Sequence, residues 1–350
     1  MTAGPAWLFV TADDSTGATE AAAACADAGF DVNVAPFGVP APAPAPTRGC
    51  VVVDLRSRHL TPDEARRRML ETTAANHRMH KIDSTLRGNW AVEIAAVVEG
   101  GRRVVLIPSH PLAGRVSVGG VVYVDGVPVA ESELGNDPRL PVRSSRPSET
   151  LRGVELDGSA ALTTWLARSG SGAAIVDART LTEIEQLVTI ALDAPDVLLA
   201  GPASVVGAVA KISSLGHSGA YLPEPLLLTP IVVVSASLHP VSRAQIAEVE
   251  RAGIDVVTSS VIRGGDPLAV AAEVAEAAHR LVAERRARSV ILVGGDTAEA
   301  FIGDSVVRVF GSIDVGVSLG EARIRGSLLR IASKPGGFGT ANTLVDLVNR

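Results

Sequence analysis

A short apolar run, a polar turn and a helical segment follow one another repeatedly along this chain, and this pattern limits the fold more than any other feature. In the first copy, residues 7–12 form the apolar run, Asp13 and Asp14 open the turn, and residues 18–28 form an alanine-rich helix that Gly29 ends. This order is typical of α/β proteins with parallel sheets. The sequence therefore predicts two α/β domains, each a mainly parallel sheet flanked by helices, with a cleft between them.

The first half of the chain carries further copies of the pattern, and each copy ends in polar or charged side chains. Apolar strands are predicted at residues 50–55, 79–82 and 102–107. The candidate residues behind the predicted strands are Asp13, Asp14, Arg58, Lys81, Asp83, Arg87 and Arg115. Because ligands bind beyond the carboxyl ends of parallel strands, we expect these side chains to line one site.

Residues 81–89 (KIDSTLRGN) form the most polar of these loops. The segment holds two cations, an acid, two hydroxyls, an amide and a glycine. Lysine is rare in this chain, with Lys81, Lys211 and Lys334 against 29 arginines (32 basic residues less three). A lysine is a compact point charge that suits a carboxylate or a phosphate. A polar turn that starts a helix is the plain alternative, and the segment alone does not decide between them.

Length and composition exclude several classes of protein. A chain of 350 residues favours two domains, and the proline-containing stretch at 221–230 predicts a boundary between a domain at 1–225 and one at 226–350. The net charge of −6 argues against a nucleic-acid partner, and no apolar run approaches the ~18 residues of a membrane span. Two cysteines without paired spacing are typical of a reduced, cytoplasmic protein.

Two glycine-rich turns in the second half favour binding of phosphate groups. GGDT at 294–297 and KPGGFG at 334–339 each follow a predicted strand and precede a predicted helix. Backbone N–H groups approach an anion closely at such turns, and a helix amino terminus favours negative charge. A tight turn also needs glycine without any ligand, and the chain has neither a Walker loop nor a dinucleotide fingerprint. Two such turns in one small domain nevertheless predict nucleotide binding, with Lys334 beside the phosphates.

The two halves together hold the groups that a small-molecule kinase needs. Arg58 and Lys81 are expected to hold the carboxylate of an anionic substrate. Phosphoryl transfer also needs a group that accepts the hydroxyl proton. The candidates for this base are Asp13, Asp14 and Asp83, and the sequence leaves the choice open. The histidines show no metal-binding spacing, so the metal ligands stay unassigned, although Asp296 could orient a metal ion or its water.

These motifs resemble, in the same order, those of the four-carbon acid sugar kinase family, whose members phosphorylate threonate, erythronate or 3-oxo-tetronate with ATP. The shared motifs are ADDSTGA at 12–18, KIDSTLRGN at 81–89, GR at 114–115, VDGVPV at 124–129, GGDTA at 294–298 and KPGGFG at 334–339. The resemblance runs over nearly the whole chain. It implies a sugar-acid-binding amino-terminal domain and a nucleotide-binding carboxyl-terminal domain.

Charge and resemblance together assign candidate contacts to each ligand. The residues expected at the sugar acid are Asp14, Arg58, Lys81, Ile82, Asp83, Ser84 and Arg87. Those expected at ATP are Ser235, Ser237, Gly294, Gly295, Asp296, Thr297, Lys334, Gly336 and Gly337. Mg²⁺ is expected to accompany ATP, and a homodimer is compatible with the sequence.

Several residues depart from the family's motifs. Ser15 stands where leucine is usual, and Glu20 stands where aspartate is expected. Ala236 replaces the glycine of an S-G-S segment, which adds a methyl group where the backbone would approach ATP. Residues 201–204 (GPAS) replace a G-S-A-G-like segment. An alternative function, that of a sensor without catalytic activity, rests on Ala236 alone, and a kinase for another hydroxy acid is a third reading.

Overall fold

The computed structural model describes residues 8–43, 48–72, 77–137, 139–214, 219–259 and 266–350. The elements of the amino-terminal part are β1 (Leu8–Ala12), α1 (Ser15–Asp27), β2 (Asp31–Pro36), β3 (Gly49–Asp54), α2 (Pro62–Thr72), β4 (His77–Lys81), α3 (Trp90–Glu99), β5 (Arg103–Leu106), β6 (Arg115–Val118), β7 (Val121–Val124), β8 (Val127–Pro128), α4 (Pro147–Thr150), β9 (Val154–Leu156), α5 (Gly158–Leu166), β10 (Gly172–Val176), α6 (Leu181–Leu192), β11 (Val197–Gly201) and α7 (Ala203–Ser213). Short 3₁₀ turns lie at Pro111–Ala113, Val129–Glu131 and Glu133–Asn136.

The carboxyl-terminal part repeats the alternation and then departs from it. Its elements are β12 (Ile231–Ser235), α8 (Pro240–Arg251), β13 (Asp255–Thr258), α9 (Pro267–Arg285), β14 (Ser289–Val293), α10 (Gly295–Ile302), β15 (Val307–Asp314), β16 (Val317–Ile324), β17 (Ser327–Lys334) and α11 (Thr343–Val348). Strands β15, β16 and β17 follow one another without an intervening helix. No described helix is long and apolar enough to cross a membrane.

A single sheet runs through both parts of the described chain. Its 14 strands lie in the order β13-β12-β14-β17-β16-β15-β2-β3-β1-β4-β11-β5-β10-β9. The eight strands from β2 to β9 in this order pair in parallel, and so do the four from β13 to β17. The β15–β16–β17 meander is antiparallel, and β15 joins the two parts by pairing antiparallel to β2. The predicted α/β class with mainly parallel sheets is thereby confirmed.

The predicted division at residues 225 and 226 falls between α7 and β12. It stays a prediction, because backbone hydrogen bonds continue across the sheet from β15 to β2. A separate antiparallel sheet, β6-β7-β8, packs against the amino-terminal part through the buried Val122. Asp125 and Gly126 form its last turn, between the paired residues Val124 and Val127.

Aliphatic strands and an alanine-rich helix form the core. Every residue of β3, β11, β12 and β14 is buried, as expected for parallel strands covered on both faces. Helix α1 buries Ala21, Ala22 and Ala23, whose small side chains let the helix lie close to the sheet. It packs against β15, α7 and α10, so it contacts both parts of the molecule. Its position brings residues at its amino end to the boundary between the parts.

Candidate active site

Three neighbouring strands of the amino-terminal part deliver the predicted charged residues to one edge of the sheet. The strands β3, β1 and β4 are adjacent and parallel. Asp13 and Asp14 follow β1, Arg58 lies in the loop after β3, and β4 ends at Lys81. Hydrogen bonds and ion pairs join these loops to one another, whereas Arg115, which was also expected here, lies over the ring of Phe338 in the carboxyl-terminal part.

Arg58 is the centre of this cluster. Its Nε and Nη2 atoms lie 2.7 and 3.0 Å from the two carboxylate oxygens of Asp13. Its Nη1 and Nη2 atoms each lie 2.8 Å from an oxygen of Asp14, and Nη2 is 3.7 Å from Oδ1 of Asp83. Arg58 thus orients two adjacent carboxylates by forked hydrogen bonds. A substrate carboxylate that used Arg58 would share it with both.

The electrostatic environments of Asp14 and Asp83 differ. Burial raises the pKa of Asp14 despite the nearby Arg58, and the charge of Asp13 adds to this effect. Burial also disfavours the charged form of Asp83, but Arg87 and Arg58 overcome it and hold its pKa well below the usual range. Arg87 contributes two hydrogen bonds of 3.0 Å. Asp83 is therefore a permanent anion, whereas Asp14 is the better proton acceptor of the two.

Lys81 belongs to a chain of polar contacts that the sequence did not indicate. Its Nζ atom lies 3.5 Å from Oε2 of Glu20, and Oε1 of Glu20 lies 3.7 Å from Nε2 of His110. Nδ1 of His110 lies 2.6 Å from Oγ of Ser204. Glu20 stands four residues after Thr16 on α1, and this helical spacing, together with the aspartate expected here in the family, was the available signal that it faces the site. His110 and Ser204 come from distant loops.

A network of buried polar side chains supports the cluster around Arg58. Oγ1 of Thr11 lies 2.8 Å from Nε2 of His77 and 2.9 Å from Nδ1 of His80. Nε2 of His80 lies 3.1 Å from Glu93, which also accepts a hydrogen bond from Ser57. All five side chains are buried. The network fixes the ends of β1, β3 and β4 relative to α3, so it positions the site rather than lining it.

Two of the predicted substrate residues are placed differently from the rest. The side chain of Ile82 is fully buried in a hydrophobic cluster with Leu55 and Leu86, so only its backbone can face a ligand. Ser84 is half-buried in the turn between β4 and α3. The backbone N–H of Ile82 already donates to the carbonyl of Gly201.

The carboxyl-terminal part gathers its candidates in the same manner. The strands β12, β14 and β17 are adjacent and parallel. The residues at their carboxyl ends are Ser235 and Ser237 after β12, Gly294 to Thr297 after β14, and Lys334, Gly336 and Gly337 after β17. Hydrogen bonds connect the three turns: Thr297 Oγ1 accepts from the N–H of Ala236 at 2.9 Å, and the N–H of Gly294 donates to the carbonyl of Lys334 at 2.8 Å. The predicted nucleotide residues therefore lie together at one edge of the sheet.

Lys334 differs from the cations of the other part. Its side chain is fully buried, and Nζ donates to the carbonyls of Pro335 at 2.7 Å and Phe338 at 2.6 Å. Burial lowers the pKa of Lys334 to about 8. Within the described ranges no carboxylate pairs with it. An anion that entered this turn would relieve a buried, uncompensated charge.

The two clusters touch each other. A Cβ atom added to Gly295 would lie 2.8 Å from Oδ2 of Asp14, so only glycine allows this approach. Asp296 accepts a 2.6 Å hydrogen bond from Arg139 and lies 3.4 Å from Nε2 of His59, both residues of the amino-terminal part. The predicted sugar-acid and nucleotide residues thus border one continuous site.

Comparisons with known proteins identify relatives of this chain. A family model described as a sugar-binding N-terminal domain matches residues 8–209. A Cupriavidus necator D-threonate kinase is 32% identical over 287 residues, which span 74% of this chain and 68% of that protein. A Bordetella bronchiseptica D-threonate kinase is 25% identical, with 98% of this chain and 96% of that protein covered.

A solved structure extends the likeness to the whole fold. A protein of Salmonella typhimurium LT2 superposes with a TM-score of 0.76 at 20% identity, covering 98% of each chain. The chain therefore shares the two-part α/β fold of that structure, and its residues 8–209 match the sugar-binding N-terminal domain family. The chain belongs to the four-carbon acid sugar kinase family.

Proposed function

We propose that the protein is an ATP-dependent kinase that phosphorylates a hydroxyl group of a small sugar acid. A four-carbon acid such as threonate, erythronate or 3-oxo-tetronate is the proposed acceptor. The observation that carries this proposal is the contact between Asp14 and Gly295. It places a carboxylate suited to proton acceptance against a glycine turn suited to phosphate, as direct phosphoryl transfer requires.

The sugar acid is proposed to bind at the Arg58 cluster. Lys81 and Arg58 would hold the substrate carboxylate, and Arg87 would add positive charge at the edge of the pocket. Asp83 would accept hydrogen bonds from the substrate hydroxyls, because its low pKa keeps it ionised. Asp13 is fully buried and receives two hydrogen bonds from Arg58, so it would orient Arg58.

ATP is proposed to bind at the ends of β12, β14 and β17. The N–H groups of the glycine turns and the ammonium group of Lys334 would hold its phosphates. The contact residues are those predicted from the sequence: Ser235, Ser237, Gly294, Gly295, Asp296, Thr297, Lys334, Gly336 and Gly337. Ala236 does not oppose this, because its methyl group packs against the core and its N–H bonds to Thr297. The sensor alternative therefore loses its support.

Mg²⁺ fits this surface as a companion of the phosphates. No cluster of three metal-binding side chains occurs among the described residues. Magnesium needs no such cluster, since it is usually held by one or two carboxylates together with substrate phosphates. Asp296, in the first turn of α10, is the carboxylate placed to contribute. When bound, the ion would neutralise charge on the phosphates.

The chemical step follows from these positions. The oxygen of the substrate hydroxyl forms a bond to the γ-phosphorus, and its proton passes to the carboxylate of Asp14. The bond from the γ-phosphorus to the bridging oxygen breaks, and its electron pair leaves with ADP. Burial of Asp14 raises its pKa towards the range in which a carboxylate serves as a general base. Arg58 holds the carboxylate in place during the transfer.

A coupled assay of ADP release tests this function. Purified protein with Mg-ATP would be screened against sugar acids of three to six carbons, with Asp14→Asn as the control for contaminating kinases. We expect acid-dependent ADP release with at least one four-carbon acid, and almost none from the variant. If the protein binds ATP but releases no ADP with any acid, the proposed activity is wrong.

A further inference from the structure

The amino ends of two helices, one from each part of the molecule, meet at the candidate active site. Helix α1 begins at Ser15 with Asp14 as its N-cap, and α10 begins at Gly295. A Cβ atom on Gly295 would lie 2.8 Å from Oδ2 of Asp14 and 3.2 Å from Oγ1 of Thr16. The first turns of the two helices are therefore in contact.

This meeting concentrates positive potential at one point. The N–H groups in the first turn of a helix have no partner within the helix, and the helix dipole adds about half a positive charge there. In α1 the carboxylate of Asp14 accepts from the N–H of Gly17 at 2.9 Å. In α10 the N-cap residue is Gly294, and no side chain caps the helix. The N-cap residue of α10 therefore accepts no side-chain hydrogen bond from the N–H groups of the first turn.

Thr16 supplies an independent sign that a ligand binds here. Only 6% of the residue is exposed, yet its Oγ1 atom has no hydrogen-bond partner within the described parts of the chain. An unpaired buried hydroxyl costs free energy, so such groups need an explanation. The neighbouring hydroxyls are all paired: Ser15 donates to Asp54, and Thr19 donates to the carbonyl of Thr16 at 3.0 Å. Among the described hydroxyls at the start of α1, the one that faces Gly295 therefore lacks a partner, a state that it shares with Ser333 in β17.

We infer that Thr16 is a catalytic residue that donates a hydrogen bond to a non-bridging oxygen of the phosphoryl group during its transfer. The inference rests on the proposed kinase function and adds a contact that the motif comparison does not assign. The N–H groups of the first α10 turn would bind the same phosphoryl group from the nucleotide side. Thr16 would bind it from the side of the acceptor hydroxyl, and Asp14 beside it would take the proton.

The experiment replaces the hydroxyl with a methyl group of the same size. For Thr16→Val we expect kcat to fall about 100-fold, the usual loss for one hydrogen bond to a transition-state oxygen. The KM values for ATP and the sugar acid should stay within about threefold, because this contact strengthens only during transfer. Thr16→Ser keeps the hydroxyl and should retain most of the activity. Thr19→Val is the matched control, a buried threonine of the same helix whose hydroxyl is paired.

Thermal unfolding distinguishes this role from a structural one. Thr16→Val should melt at the wild-type temperature or higher, because it removes an unpaired buried hydroxyl. Thr19→Val should melt at a lower temperature and keep its kcat.

Two results would overturn the inference and leave the proposed kinase function unaffected. One is a Thr16→Val protein with the wild-type kcat. The other is a folded Thr16→Ser protein that is as inactive as Thr16→Val. Wild-type protein that phosphorylates no sugar acid would instead overturn the proposed function and the role of Thr16 with it. If Thr16→Val fails to fold, the hydroxyl is structural and the inference is wrong.

Discussion

The cations on the two sides of the candidate active site have different kinds of partners. On the amino-terminal side three of the predicted cations have acidic partners: Arg58 holds Asp13 and Asp14, Lys81 lies near Glu20, and Arg87 holds Asp83. On the carboxyl-terminal side Lys334 is bound, among the described residues, only by backbone carbonyls. The first side is a network of fixed charges, and the second is a backbone cradle around one uncompensated cation.

This difference indicates how each ligand is recognised. Opposite charges that pair within the protein hold one another in place, so the amino-terminal side offers a rigid set of acceptors and donors that suits a substrate defined by the geometry of its hydroxyls. An uncompensated buried cation gains more from an anion than a paired one does. The carboxyl-terminal side therefore suits phosphates, which are recognised by their charge more than by their stereochemistry.

The largest effect is expected from changing the base. Asp14→Asn should lower kcat by a factor of about 10³, within the range for loss of general-base catalysis, because an amide cannot accept the hydroxyl proton. Asp83→Asn should instead raise the KM for the sugar acid and lower kcat much less, because Asp83 stays ionised throughout. Steady-state kinetics with each substrate varied would measure both. Equal losses of kcat in the two variants would contradict the assignment of the base to Asp14.

The next effect concerns the contact between the two sides. In Gly295→Ala the new Cβ atom would lie 2.8 Å from Oδ2 of Asp14, a carboxylate that Arg58 holds fixed. We expect kcat/KM to fall about 100-fold, since displacements of about 1 Å can cost this much. Gly207→Ala is the matched control, because its Cβ would meet only Ala24 at 3.9 Å. Full activity in Gly295→Ala would show that the two sides separate further during catalysis than they do in this structure.

The buried charge of Lys334 leads to a prediction about pH dependence. The pKa of Lys334 is about 8 in the fold, below its ordinary value of 10.5. A phosphate favours the charged lysine, so the dissociation constant of ADP should rise as the pH passes above about 8. The free energy of unfolding should also increase, from pH 8 to 10.5, because there the unfolded chain binds more protons than the fold does.

Isothermal titration of ADP and denaturant unfolding, both between pH 7 and 10, would measure the two trends. Lys334→Met should flatten both and weaken ADP binding about tenfold. The exposed Lys211, which pairs with Glu185, provides the control variant Lys211→Met. An ADP affinity that Lys334→Met leaves unchanged would remove Lys334 from the nucleotide site.

Much of this site could be predicted from the sequence because it lies at the ends of parallel strands. An apolar run followed by a polar turn and a helix fixes where a strand ends, and adjacency in a parallel sheet then brings such ends together. Asp13, Arg58 and Lys81 were found in this way, and so were Gly294 and Lys334. Distances between these residues were not needed, because the order of parallel strands in the sheet brings the strand ends together.

The remainder depended on contacts between residues far apart in the sequence. Strands β15 and β16 were missed, because β15 follows the period of two only up to Val309 before Gly311 interrupts it. The pairing of β15 with β2 joins segments separated by most of the chain. The partners of Arg58 and Lys81 were also unpredictable, since a sequence shows which charges are present and not which of them meet. For Glu20 the sequence offered only its helical spacing from Thr16 and the aspartate expected at this position in the family.

The smallest effect on activity is expected from Asp54, which lies behind the site. Burial raises the pKa of Asp54 to about 7, although Ser15 donates a hydrogen bond to it. A raised folded-state pKa means that the fold binds more protons than the unfolded chain between about pH 4 and 7, so the free energy of unfolding should fall as the pH rises through that window. Asp54→Asn should reduce this dependence, while kcat at pH 7 changes less than in Asp14→Asn or Thr16→Val. Denaturant unfolding from pH 4 to 8, with the exposed Asp63→Asn as control, would measure it. A pH dependence unchanged in Asp54→Asn would place the titrating group among the carboxylates of the site itself, where Asp14 also has a raised pKa.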